Sequence, residues 1–459
     1  MERRAFLKWS GLVAALLGLD RTRYLESLQG IGGVALADGS SKEARINYSL
    51  HFVAGNGGLA NWTLAFPTTE VAKTANAVYA SHAPGRGVKA TNGDPTGELY
   101  YSPEAAAVFN AQGKTRQMTA FLANNNQTHA AAPQAMIGQG ASMIATCAAI
   151  QTASSALLPA IGINAALYGA APGAPAIAGV ANAQGLVDLF NSAAAQTLLK
   201  TPDNANLMEK YHKAFLGLNR TSASPIAKRH FDGSKVSVNL LGKQMADLLR
   251  PSAAEQAMFG IYAMAPNNIR DQANSAITAL KAFSLGLTRM LVLPSFNNDP
   301  HGMFAAGDAN ALATSTYLAK LFDGIFKLGD TLTDPKSGKK LSDKLVVTVH
   351  GDTMKNPFQR GGWPDGTPQN TNVLYALGQG YIKQKWFGGF PAGTTPMAYN
   401  PETGATVALA DAGAVTGANA FASASAAVAF AVSGGDMAAV NNVYRGPSIA
   451  GLVNSSLTG

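Results

Sequence analysis

Two continuous apolar runs constrain this chain more than any other feature. Residues 290–296 read MLVLPSF and residues 344–352 read KLVVTVHGD. Their apolar residues run on without the polar alternation of a sheet with one wet face, so both read as strands buried on two sides. Between them Leu318, Leu321, Phe322, Ile325 and Leu328 recur at helical spacing. Ahead of them RDQANSAITALKAFSLGL sets Ile277, Leu280, Leu285 and Leu287 among small residues, a second helix. Helix, strand, helix, strand with such runs predicts an α/β fold, a doubly wound, largely parallel sheet flanked by helices.

The rest of the chain is less sharply written. INYSLHFV at 46–53 alternates and predicts a strand, closed by the glycine-rich turn AGNGGL at Ala54–Leu59. Residues 100–123 are polar with helical patches. Residues 130–200 are Ala-rich, broken at Gly169–Pro175, and read as helices. With a helical 201–225 they predict an Ala-rich helical insertion over about 130–225. VSVNLL within 226–250 is strand-like, 355–400 reads as loop and short strands, 419–432 as an Ala-rich helix, and RGPSIAGLV as a terminal tail. No repeat of fixed period is present.

The N-terminus carries an address. Arg3 and Arg4 stand together, Phe6, Leu7 and Lys8 follow, and an apolar run extends from Leu12 to Leu19. This is the layout of a twin-arginine export signal, and the run is far short of the roughly 20 residues that span a bilayer. VALA at Val34–Ala37 offers small residues for cleavage, so residues 1–37 are expected to be a leader and 38–459 a single α/β domain. The mature protein is expected in the periplasm or at the cell surface, without a transmembrane segment. Twin-arginine export carries folded proteins, often ones holding a metal or cofactor.

Charge limits the partners. The full chain carries +8, and removing residues 1–37 takes away five basic and three acidic residues, leaving +6. The excess is spread out, with no basic cluster interleaved with aromatics, so nucleic acid is not implied. An anionic small molecule or an anionic cell-surface polymer suits the sign. The single cysteine, Cys147 in SMIATCAAIQ, has no internal partner and reads as a small buried residue.

Open α/β sheets bind ligands beyond the carboxyl ends of their strands. Asp299 and His301 follow one predicted strand, and His350 and Asp352 end the next. Together they are candidate ligands for one divalent metal, zinc or manganese. The alternative is a set of solvated loop residues. His51 sits on a strand beside the glycine turn, where a surface position is the default. Lys355 and Arg360 follow His350 and are candidates for holding a phosphate or sulfate. Trp363, Trp386, Phe387 and Phe390 are either a ligand-facing surface or core.

The chain resembles a bacterial family of twin-arginine-exported proteins in the alkaline phosphatase/sulfatase-like superfamily. RRAFLKWSGL, LHFVAGNGGLANWTLAFP, NNNQTHAAAPQAM, LGLTRMLVLPSFNNDPHG, KLVVTVHGDT, RGGWP and RGPSIAGLV match its segments in order, over nearly the whole chain. The resemblance implies a sulfatase-like fold and phosphate or sulfate ester hydrolysis by a Ser or Thr nucleophile at two metal ions. It implies Thr128 in the nucleophile position with His129 beside it, and Asp299, His301 and His350 as metal ligands. Thr128 also reads as a turn or helix-cap residue in a polar loop.

The departures matter as much. Gly57 stands where the family has the Asp of GGNDG, Val349 where the superfamily has an Asp before its His, and Gly361 and Gly362 where the family has Asp-His before Trp363. None of these side chains can ligate a metal. What remains suits at most one ion, on Asp299, His301 and His350 with Asp352 as a substitute carboxylate. Two expectations follow: a binding protein that kept the scaffold without the chemistry, or a mononuclear metal-dependent ester hydrolase.

Overall fold

A computed structural model describes residues 45–53, 87–91, 99–110, 117–122, 136–138, 140–154, 156–163, 168–190, 245–294, 308–353, 372–389, 397–408 and 418–457. Its centre is an eight-stranded sheet. The strands are β1 (Tyr48–Val53), β2 (Met118–Leu122), β3 (Leu158–Ile163), β4 (Ala178–Val180), β5 (Thr288–Pro294), β6 (Leu345–Thr353), β7 (Asn372–Leu377) and β8 (Trp386–Phe387). They lie in the order β8-β2-β7-β6-β1-β5-β3-β4. Only β7 runs against the others, pairing antiparallel with both β6 and β2. The sheet is therefore mixed and mostly parallel, as the apolar runs predict.

Helices flank it. They are α1 (Pro103–Phe109), α2 (Met143–Gln151), α3 (Ala183–Phe190), α4 (Met245–Leu249), α5 (Ala253–Phe259), α6 (Asn267–Ser284), α7 (Asp308–Thr331), α8 (Ala418–Val432) and α9 (Met437–Asn441). Successive residues of a strand point to opposite faces, and β5 feeds both. Leu291 and Leu293 join the apolar cluster built with α1, α6 and α7. Met290 and Val292 join the one built with α2 and α8. This is why the run is continuously apolar. Tyr48 stacks on Phe283 of α6 at 5.1 Å, and Phe52 meets Phe322 of α7 at 6.1 Å.

The two long helices follow their patterns. Ile277 and Leu280 of α6 are buried, as are Leu318, Leu321, Phe322, Ile325 and Leu328 of α7. The short α5 starts with a capping box, Ser252 with Glu255, and stops at Gly260, whose φ of 62° is left-handed. Gly324 lets α7 approach α5: a Cβ there would stand 2.3 Å from the Phe259 ring.

The Ala-rich stretch corrects one expectation. Over 130–225 the described residues do include helices α2 and α3, but they also include β3 and β4, two strands of the main sheet. That part is a structural member of the sheet, not a helical insertion. Ala160, Ala178 and their glycine neighbours lack the branched side chains that announce a strand. Residues 201–225 and VSVNLL lie outside the described residues. The tail packs inward, burying Ile449, Leu452 and Val453 in the α2–α8 cluster. No helix among the described residues is long and apolar enough to cross a membrane.

Candidate functional site

Register places several strand ends side by side. Val53 pairs with His350 of β6 on one side and Pro294 of β5 on the other. Leu122 of β2 pairs with Val373 of β7, next to Leu374, which is opposite His350. The chain therefore leaves β1, β2, β5 and β6 along one edge of the sheet, the carboxyl edge. The sequence-predicted site residues end or follow three of these strands in the chain. Thr128 and His129 follow β2, Asp299 and His301 follow β5, and Lys355 and Arg360 follow β6. These six lie outside the described residues. Each is tethered within seven residues of a strand end, a reach of up to about 25 Å. The spread from β2 to β5 is four strand spacings, about 19 Å.

His350 and Asp352 belong to β6 itself. They stand two apart, the spacing that shares a face in a regular strand. The register against β7 shifts between His350 and Thr353, so regular alternation does not run through this segment. Val349, one residue earlier, is fully buried. It belongs to the apolar cluster under α6 and α7, beside Phe52 and Tyr375 in register. Among the described residues no three His, Cys, Asp or Glu side chains gather as a metal site. Cys147 is buried without a disulfide, and burial pushes its thiol pKa up.

Two aromatic readings and one histidine resolve. Trp386 and Phe387 are buried in β8, Trp386 edge-on to Tyr375 and Phe387 stacked on Phe121 at 5.0 Å, so they are core. Trp363 and Phe390 lie outside the described residues. His51 is not a surface residue: it is fully buried, with Nδ1 2.6 Å from Thr348 Oγ1, its register partner on β6. The alternation of INYSLHFV suggested a wet face, but α2 covers that face. Gln151 at the end of α2 donates to Asn47 O, Ser49 Oγ and Arg289 O.

The amino edge has a different character. Tyr48 Oη donates to Asp334 Oδ1 at 2.7 Å, and the Arg289 guanidinium lies 4.4 Å over the Tyr48 ring. Burial alone would raise the Asp334 carboxyl, but hydrogen bonds from Ser337 and Tyr48 hold it below its ordinary value. Burial pushes the Lys344 ammonium down to about 8, against the attraction of Asp334 and with repulsion from Arg289 and Lys339. The helix α7 continues to Thr331, and the charged turn after it is tied to Asp334.

Sequence reasoning also missed a cleft of about 800 Å³ on the flank of the carboxyl edge. It lies at the ends of β3 and β5, against the start of α3, the first half of α6, and Arg250 with Pro251. Its size is that of a small-molecule site. Asn268, Asp271, Gln272, Asn274 and Ser275 of α6 line it. That polar run was legible, but the helix was read only for its apolar stripe. In comparisons with known proteins, no family model matches this chain and no curated protein matches it.

Proposed function

We propose that this chain is an exported, non-catalytic binding protein on an alkaline phosphatase/sulfatase-like scaffold, taking an anionic ligand at the carboxyl edge of its sheet. One observation carries the non-catalytic reading. Val349 stands where the superfamily has a metal-ligating Asp, and it is sealed in apolar core. A carboxylate in that setting would be desolvated and neutralised, so the burial of Val349 supports the loss of the ligand that the resemblance implies. Gly57, Gly361 and Gly362 remove three more ligand side chains. The remaining donors, Asp299, His301, His350 and Asp352, are imidazole and carboxylate. That chemistry suits one zinc or manganese ion and cannot supply a pair. A single ion there would attract a phosphate or sulfate group, with Lys355 and Arg360 in the following segment as partners.

The second reading is a mononuclear ester hydrolase with Thr128 and His129 at the reacting group. The alignment of Val53, Pro294 and His350 supports it, because β5 and β6, which lead in the chain to the candidate metal and anion residues, end along one edge. Metal content separates the two when read with turnover. The protein is exported by its own leader and compared with an Asp299→Ala/His301→Ala variant. Both are assayed on aryl phosphate and aryl sulfate esters. We expect no turnover in either protein, with or without added zinc or manganese. One metal per chain, lost in the variant together with ester hydrolysis, would establish the hydrolase instead.

A further inference from the structure

We propose that the cleft beside β3 and β5 binds a neutral, polyhydroxylated small molecule of the sugar class. It shares none of the candidate metal or anion residues, so the assignment does not depend on the reading above. Six amides line it: Asn182, Gln184, Gln256, Asn268, Gln272 and Asn274. An amide presents donor and acceptor in one plane, and a hydroxyl is both donor and acceptor, so rows of amides match rows of hydroxyls. Several of the amides are already held in place. Asn274 Oδ1 accepts from Gln256 Nε2 at 3.0 Å and from Tyr262 Oη at 2.8 Å. Asn182 Oδ1 accepts from the Gly185 N–H at 2.8 Å, and Gln272 Nε2 donates to Pro294 O at 2.9 Å. Fixed side chains lose little freedom when a ligand arrives.

Two observations choose the ligand class. The charged residues on the wall are Arg250 and Asp271, one of each sign, so a phosphate or sulfate drawn to the first is repelled by the second. Gln272 is 6% exposed, and its Oε1 has no hydrogen-bond partner among the described residues. That acceptor lacks a donor and is shielded from solvent, so a ligand meets it only after a turn of the side chain; a hydroxyl can then donate to it, and a sulfate cannot. Ala181, Pro251 and Pro294 add apolar surface on which the C–H face of a sugar ring can rest.

The test is calorimetric titration of the full mature chain with glucose, galactose, N-acetylglucosamine, maltose and cellobiose, beside glycine and sodium sulfate. We expect at least one sugar to bind saturably, with Kd of about 1 mM or tighter. Binding should weaken at least about tenfold in Gln184→Ala/Asn268→Ala, where the truncated amides each held a ligand hydroxyl. Both side chains are exposed, so the melting temperature should hold. Gln272→Leu should weaken the same sugar, and if it fails to fold the surface pair carries the test alone. Asp299→Ala/His301→Ala should leave binding unchanged. Absence of sugar binding, or binding that survives the surface pair, overturns the assignment. Binding of sulfate or glycine that disappears in Arg250→Ala overturns the ligand class and makes the cleft an anion or zwitterion site.

Discussion

Lys344 shows how one side chain can work against the fold that contains it. It is buried beside Arg289, Asp334 and Lys339, and its ammonium is pushed down to about 8. In the unfolded chain it keeps its ordinary value near 10.5. Between those values the unfolded state binds more protons, so this group makes unfolding harder as pH rises through that window. Lys344→Met removes the buried charge. The variant should be more stable than the parent at pH 7 by about 1–2 kcal/mol. The gap should close toward pH 10.5 in urea midpoints taken across the range. A gap that stays constant with pH would show that packing, not charge, sets the difference. Asp334 acts oppositely: its lowered carboxyl contributes stability that is lost as pH falls below its ordinary value of 3.8. None of this was legible in the sequence, because Tyr48, Arg289, Asp334 and Lys344 are scattered along the chain and only the parallel register gathers them. His51 was misread for a related reason. Alternation reports a change of face, and it cannot say whether a helix covers the second face.

At the scale of elements, α5 and α7 meet through a missing side chain. Gly324→Ala would drive a methyl into the Phe259 ring, which is itself 1% exposed and cannot swing into water. Alanine favours a helix over glycine by about 1 kcal/mol, but overpacking costs about 1–3 kcal/mol. The variant should therefore melt lower, and Gly324→Ala/Phe259→Leu should recover most of the loss. If the double variant is no better, the contact is not the cause. The long apolar elements β5, β6, α6 and α7 were legible because burial on two faces, or a clean stripe, leaves a strong pattern. β2, β3 and β4 were not. Their residues are short runs or are rich in Ala and Gly, and their strand character comes from neighbours in the sheet. The antiparallel course of β7 was equally hidden, since direction is a property of connections and not of composition. The strands that lead to the candidate residues were legible in part, whereas the amide cleft needed α3, α6 and β3 in place together.

For the molecule as a whole, one sheet serves two cores. Adjacent residues of β5 divide between them, Leu291 to the α6–α7 side and Met290 to the α2–α8 side. Neither core can open without exposing the strand it shares with the other. Leu291→Ala and Met290→Ala should each cost about 2–5 kcal/mol. Both should lower a single transition, coincident by circular dichroism and by fluorescence. Two separated transitions in either variant would mean that the cores melt independently.

The position of β1 has a consequence for how the protein is made. The strand is among the first segments of the described chain, yet it sits between β5 and β6, and its contact from His51 to Thr348 spans 297 residues. A nascent chain holds this strand without either final neighbour until β5 has been made, and without the second until β6 has followed. Closure is then late and long-range. A chain cut short before β6 has no way to finish the sheet beside β1. The middle of the sheet thus acts as a gauge of whether synthesis has passed β6. Such a gauge would let a transport route that accepts only folded cargo, the route proposed for this chain, refuse fragments that stop short of β6.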